Sequence, residues 1–258
     1  TLIIDEINNN NVHKIKFDYV SNPEFLREGS AVKDFLWPDR VIIGAREERA
    51  FKVMKDIYRP LYINEKPIMH TNIETAEMIK YSANAFLALK ISYINEVANL
   101  CEEVGADIHQ VAKGMGQDGR ISSKFLHPGP GFGGSCFPKD TKAFSMLSKQ
   151  HNLSMETIDA AINVNENQKK RMVEKLKYLM DFKFENKIIA ILGLAFKPNT
   201  DDIRESSALK IIKFILDKGG IINAYDPVAN DAMRIVYDKI NYSNSWKDAC
   251  ENADCAVI

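Results

Sequence analysis

From Asn72 to Ala106 the chain reads "NIETAEMIKYSANAFLALKISYINEVANLCEEVGA". This segment contains no proline, and its length commits it to one long helix. Asn72 is placed to cap it, Glu74 to Glu77 favour its positive end, and Gly105 suits its termination. Its apolar residues run nearly all round, which predicts a helix buried on most sides. A helix of this kind divides the chain into an N-terminal and a C-terminal part.

Both flanks read as α/β. Within residues 1–71, "KIKFDYV", "DRVIIGA" and "PIMHT" read as strands, and a helical run carries Phe51, Met54, Ile57, Tyr58 and Leu61 on one face. This order suits part of a parallel sheet. The tract Asn8 to Asn11 reads as a loop. Residues 72–180 are mostly helical, with a second long helix in "METIDAAINVNENQKKRMVEKLKYLM". Residues 187–258 return to alternating strand and helix: "KIIAILGLAF", "ESSALKIIKFILDKGG", "IINAYDP", "DCAVI". This resembles half of a doubly wound nucleotide-binding fold, although only Gly193 stands where a full glycine fingerprint would. Lys197, in the first strand-to-helix loop, is a candidate donor to a phosphate.

Bulk properties exclude several classes. The length of 258 residues suggests about two cores at roughly 100–200 residues each. A net charge of −1 gives no broad basic face for nucleic acid or anionic lipid. No apolar run approaches the roughly 18 residues that span a bilayer. The four cysteines are scattered and form no CxxC pair. They therefore suggest neither a disulfide framework nor a metal site, and the reading is free thiols in a reducing cytoplasm. The chain opens without methionine and ends on a strand-like run, so a fragment is expected.

Three segments place polar groups at i and i+4: Glu24 and Glu28 in "SNPEFLREG", Lys80 and Asn84 in "KYSAN", Cys136 and Asp140 in "CFPKD". If each is helical, each pair shares a face. Asn22 and Pro23 could open a helix that carries Glu24 and Glu28, either as a solvated pair or as a general base with a neighbour. Lys80 either snorkels or pairs with Glu77, or it joins Asn84 as a donor to a developing oxyanion.

Cys136 follows "GPGFGGS" in a glycine- and proline-rich stretch long enough to suggest function. Pro138 suits the first turn of a helix, which would put Cys136 at its N-terminus. That position and Lys139 would favour the thiolate. The loop alone leaves Cys136 either a nucleophile or an inert thiol, and no histidine nearby supports a Cys-His hydrolase. Lys197 and Arg204 in "FKPNTDDIRESS" suit phosphate oxygens or ordinary surface pairing, and Arg120 in "GQDGRISSKFL" is similarly open.

Taken in order, "SNPEFLREGSAVKDFLWPDRVIIG", "KYSANAFLALKISYINEVANLCE", "GRISSKFLHPGPGFGGSCFPKDT", "LGLAFKPNTDDIRESSAL" and "YDP" resemble the nucleotide-sugar 6-dehydrogenases, the UDP-glucose/GDP-mannose dehydrogenase family. The likeness covers nearly the whole chain and is strongest to the bacterial UDP-glucose branch. It implies two Rossmann-like, doubly wound parallel-sheet domains (1–71 and 187–258), both incomplete here, joined by a central helical domain (72–180). It also implies two NAD-dependent oxidations of UDP-glucose to a carboxylate, in a cytoplasmic homodimer. GDP-mannose, UDP-N-acetylmannosamine and a non-catalytic dimerisation module are the alternatives.

Residue by residue, the resemblance implies that Cys136 forms a thiohemiacetal and then a thioester. Lys80, Asn84 and Asp140 would steady oxyanions and relay protons, and Glu24 would be the base for hydrolysis. Phe25, Leu26 and Arg27, with Phe125, Leu126, His127, Pro128, Gly129 and Gly133, would hold the UDP-sugar. Lys197 would meet its diphosphate, and Arg120 would reach a neighbouring subunit. Glu28, Lys139 and Arg204 would face NAD. The family's glycine-rich NAD turn is missing from this sequence, so the chain is expected to lack most of that domain, to stop within the UDP-binding domain and to be inactive alone.

Overall fold

A computed structural model describes residues 2–64 and 66–258. The chain packs as two compact units, Thr1–Ala83 and Asn84–Ile258.

The first unit opens with α1 (Leu2–Asn10), so Asn8 to Asn10 form the last turn of a helix rather than a loop. The side-chain amide of Asn10 donates to the Glu6 carbonyl at 2.9 Å and supplies a local partner for that turn. Of "KIKFDYV" only its final residue is a strand, in β1 (Val20–Ser21). A short helix α2 (Ala31–Leu36) leads into β2 (Val41–Ala45), whose five residues are all buried. Then come α3 (Glu48–Ile57), a 3-10 turn (Arg59–Asn64) and β3 (Ile68–Thr71). β2 and β3 pair in parallel, as a strand-helix-strand crossover requires. β1 pairs with β2 antiparallel, so the sheet is mixed rather than parallel throughout.

Helix α4 (Ile73–Val104) is unbroken over 32 residues, about 48 Å at 1.5 Å per residue. Asn72 caps it, with its Oδ1 accepting from the Thr75 amide at 2.7 Å. It ends where Gly105 takes φ +74, which a side chain would resist. Ile73, Ala76, Ala85, Ala88, Ile94 and Ala98 are buried. The expectation of burial on most sides is corrected on one face, because Phe86, Tyr93 and Leu100 remain exposed. Seven-residue spacing is two turns, so these three form a single stripe.

The second unit continues with α5 (Ile108–Gly116), α6 (Cys136–Gln150) and α7 (Glu156–Leu179). Then β4 (Ile188–Leu192), α8 (Ser207–Asp217), β5 (Ile221–Tyr225), α9 (Asn230–Val236), β6 (Asn241–Tyr242), α10 (Trp246–Cys250) and β7 (Cys255–Val257) alternate. The sheet runs β6-β5-β4-β7, with every pair parallel. That order turns outward in both directions from β4, the signature of a doubly wound nucleotide-binding sheet. Ile189, Ile191, Leu194, Ile212, Ile215, Ile222 and Met233 fill its core. Strands buried on both faces read as continuous apolar runs, which is why "KIIAIL" was legible.

Asp226, from "YDP", ties the β4 and β5 ends together. Its carboxylate accepts from the backbone amides of Leu194 (2.8 Å), Ala195 (3.2 Å), Val228 and Ala229 (both 2.9 Å). Burial pushes this acid up, but the four amides outweigh it and hold it below the ordinary carboxylate range.

Candidate functional site

In the first unit, the segment after β1 is extended and then turns, so Glu24 and Glu28 do not share a helical face. The reason lies in Asn22. It does not cap a helix; its amide donates to the Ile42 carbonyl at 2.7 Å, and its Oδ1 accepts from the Tyr58 hydroxyl at 2.5 Å. These bonds draw the chain along β2, and Glu24 lies exposed two residues on. Lys80 meets Glu24 rather than Glu77, donating to its carbonyl (2.5 Å) and to its carboxylate (3.1 Å). The Glu24 carboxylate also accepts from the Leu26 amide at 2.6 Å.

Phe25 lies beneath two cations, with the Arg40 guanidinium 4.0 Å and the Lys80 ammonium 5.3 Å from its ring centre. Arg27 is held by Asp34 through its backbone amide (2.9 Å), Nε (3.0 Å) and a terminal nitrogen (2.6 Å). The Arg27 guanidinium holds the Asp34 carboxyl well below the usual range. Asp34 is a positioning residue that the sequence reading missed. Its signal was present, because an acid seven residues after a loop arginine opens a helix.

In the second unit, α6 begins at Cys136, so the sulfur stands at the positive end of a helix dipole. Ser135 Oγ lies 3.7 Å from Cys136 Sγ. One turn on, Asp140 is buried, accepting from the Asn84 amide at 2.6 Å and pairing with Lys139 at 3.0 Å. Asn84 is itself buried. Lys139 therefore answers Asp140, whereas the sequence alone offered it to the thiol.

The stretch leading to Cys136 is a built loop. The Gly129 amide donates to Asn95 Oδ1 at 2.8 Å and the Gly129 carbonyl accepts from Gln168 at 2.9 Å. The Phe132 amide donates to Asn165 Oδ1 at 2.6 Å, and Asn165 returns a bond to the Phe132 carbonyl at 3.1 Å. Amides are the apt side chains here, since each offers both a donor and an acceptor to open backbone. Asn95, Asn165 and Gln168 escaped the sequence reading because they sit inside helices, with nothing local to mark them. Phe125, at φ +65, and Phe132 both pack on the Phe137 ring, with centres 6.0 and 5.9 Å away. Leu126 is buried against Ile94 and Ala112, while His127 is exposed and Pro128 half-buried.

Arg120 is brought to none of these groups. It is exposed and grips Asp118 through Nε and a terminal nitrogen (3.0 and 2.6 Å). Lys197 lies in the loop after β4, its ammonium 5.4 Å from the Phe196 ring centre. Arg204 pairs with Asp202 at 2.8 Å. A cavity of about 630 Å³ opens beside the start of α6, lined by Ser135, Lys139, Lys142, Arg204, Glu205 and Lys210 among others. Its cationic lining suits a diphosphate. Among the described residues no His/Cys/Asp/Glu group is arranged to hold a metal, and no helix is long and apolar enough to cross a membrane.

Three family models match the chain. They are the NAD binding domain (residues 1–62), the central domain (74–167) and the UDP binding domain (190–258) of the UDP-glucose/GDP-mannose dehydrogenase family. A UDP-glucose 6-dehydrogenase from Rhizobium meliloti is 46% identical over 93% of this chain and 55% of its own length. UDP-glucose 6-dehydrogenase TuaD from Bacillus subtilis is 46% identical over 95% of this chain and 52% of its own. The chain thus spans about half the length of the curated relatives it matches. Among solved structures, a UDP-glucose dehydrogenase from Pyrobaculum islandicum superposes with a TM-score of 0.93 at 37% identity, over 98% of this chain and 58% of that one. A UDP-D-ManNAc dehydrogenase from Pyrococcus horikoshii gives 0.75 at 28% identity, over 94% and 60%.

Proposed function

The chain belongs to the UDP-glucose/GDP-mannose dehydrogenase family, and we propose that it carries the covalent centre of an NAD-dependent UDP-glucose 6-dehydrogenase. The observation that carries the proposal is Cys136 on the first residue of α6, with Asp140 one turn on and buried against Asn84. The family assignment gives this sulfur a task. Taking a primary alcohol to a carboxylate at one site removes four electrons and passes through a reactive aldehyde, which a thiol retains covalently.

The steps are those that the family resemblance assigns to these residues. The sugar's C6 hydroxyl loses a proton and C6 loses a hydride, giving the aldehyde. Cys136 Sγ adds to that carbonyl carbon, and the resulting alkoxide is steadied by the Lys80 ammonium and the Asn84 amide, donors worth about 3–4 kcal/mol each in such settings. Loss of a second hydride from C6 leaves a thioester. Water, deprotonated by Glu24, adds to the thioester, and the C–S bond breaks to release the carboxylate and the free thiol. Asp140 orients Asn84 and Lys139 and relays protons. NAD, when bound, accepts the hydride in each oxidation.

The cavity beside α6 supports a place for the cofactor's diphosphate near Lys139 and Arg204, with Glu28 as a further cofactor contact. Phe25 to Arg27, Phe125 to Gly129, Gly133 and Lys197 are assigned to the UDP-sugar, and Arg120 to a neighbouring subunit. The exposed Phe86, Tyr93 and Leu100 stripe supports a homodimer through α4, because contiguous apolar surface calls for cover. We also assign the three-part division into residues 1–71, 72–180 and 187–258, and a cytoplasmic location in keeping with four free thiols.

The test is a substrate panel on full-length protein with NAD: UDP-glucose, UDP-N-acetylmannosamine and GDP-mannose. UDP-glucose is expected to give two NADH per sugar, and Cys136→Ser to abolish net acid formation. If no sugar produced NADH, or if the serine variant still formed acid at the native rate, the reading would fail.

A further inference from the structure

Lys169, on α7, is 1% exposed, so its ammonium is almost wholly out of water. An ammonium buried to that degree persists only when paired. Its partners are Glu166 at 3.3 Å, on its own helix, and Glu205 at 3.4 Å, in the loop before α8. Lys142 of α6 reaches the other oxygen of Glu205 at 3.7 Å, and Lys210 of α8 binds the other oxygen of Glu166. Three lysines and two glutamates thus join α6, α7 and α8, with Lys169 at the buried centre.

Glu205 sits at φ +55, a left-handed conformation that non-glycine residues resist. What that conformation holds in place is the approach to Cys136. The Arg204 carbonyl accepts from the Gly134 amide at 2.7 Å. The Glu205 carbonyl oxygen lies where a side chain on Gly133 would begin, 2.5 Å from an added Cβ. Glycine is required at 133 because the 204–205 backbone is pressed against it.

We propose that the Lys169–Glu205 ion pair is a positioning device: it holds the strained 204–205 backbone against Gly133 and Gly134 and so fixes the strand of loop that delivers Cys136 to the start of α6. This deepens the catalytic reading and rests on it for the purpose of the device, though not for its existence. Lys169 touches no reacting atom in this scheme; it acts through Glu205.

The test is hydrogen exchange on the full chain with Lys169→Met, Glu205→Gln and the double variant, together with the rate of iodoacetamide alkylation at Cys136 relative to Cys255. Each single variant is expected to speed exchange about tenfold in the peptide carrying Gly133 and Gly134, as expected when a local opening becomes easier. β4, β5 and the middle of α8 should exchange as in the native chain. The double variant should be no faster than the singles, and alkylation of Cys136 should change several-fold while Cys255 does not. Unchanged loop exchange would overturn the proposal, as would acceleration spread evenly over the unit, which would signal general destabilisation. If Lys169→Met does not fold, Glu205→Gln decides alone, because Glu205 is 44% exposed and its loss leaves no large cavity. Loss of loop protection together with full turnover by Cys136→Ser would sink the catalytic reading and leave the positioning device standing. Native loop exchange in an enzyme that needs Cys136 would do the reverse.

Discussion

Lys80 and Asn84 stand one turn apart on α4, yet their environments differ sharply. Lys80 meets Glu24 in a pair whose carboxylate side chain is 55% exposed; Asn84 meets Asp140 where the acid is 3% exposed. The same contrast runs through the two units. The first fixes its loop with ion pairs that each keep one partner in water, Glu24 against Lys80 and Arg27 against Asp34. The second relies on buried amides and carboxylates: Asn95, Asn165 and Gln168 on the loop before Cys136, the Asn84–Asp140 pair at the start of α6, and Asp226 at the ends of β4 and β5. Exposed pairs gain little because water screens them, whereas a buried polar group that loses its partner bears the full desolvation penalty. One set of contacts can therefore change with little effect on the fold, and the other cannot.

The largest expected effect is on the buried side. Asp226→Ala removes the acceptor for four backbone amides, and a loss of about 3 kcal/mol or more in urea-unfolding stability is expected. Acid should act the same way. Because the folded acid is held below its ordinary value, its stabilising contribution is present at neutral pH and is lost as the pH falls through the carboxylate range. A midpoint for Asp226→Asn that falls as steeply with acid as the native one would assign the acid sensitivity elsewhere. Next, Asn84→Ala leaves the Asp140 carboxylate short of a partner, and about 1–3 kcal/mol is expected. A change below a few tenths would break the contrast between the units.

The smallest effect on stability is expected from Lys80→Met, at most about 1 kcal/mol. In a test of the proposed dehydrogenase activity on full-length protein, however, the same change should lower turnover by about a hundredfold or more. Equal losses of stability from Lys80→Met and Asn84→Ala, measured side by side in high salt, would show that the two environments do not differ as their exposure suggests.

Much of the fold was legible because it rests on local rules. "KIIAIL" and "IINAY" are continuous apolar runs, and the helix from Asn72 to Gly105 carries its cap, its period and its stop within its own residues. The candidate site was legible only in its short motifs. "SNPEFLREG" looked like a helix because Asn-Pro is a sound helix start; Ile42 and Tyr58, far along the chain, take the Asn22 side chain and leave no cap. The "NNNN" tract looked like a loop by composition, but the helix leading into it takes in its first three residues, Asn8 to Asn10.

By itself, then, the sequence determined the long α4 helix and the parallel strand-helix alternation of the second unit, and it marked Cys136, Asp140, Lys80 and Asn84 as candidates through their i, i+4 spacing. The tertiary structure decided which charge answers which: Lys80 to Glu24, Lys139 to Asp140, Lys169 to Glu205. Periodicity and capping act within a few residues and are written in order along the chain. Ion pairing and burial depend on residues 56 positions apart for Lys80 and Glu24 and 36 for Lys169 and Glu205, where the fold chose the partner, whereas Lys139 and Asp140 are neighbours in the chain. That is why a lysine in the middle of α7, with nothing local to distinguish it, turns out to sit at the centre of the network behind the cysteine loop.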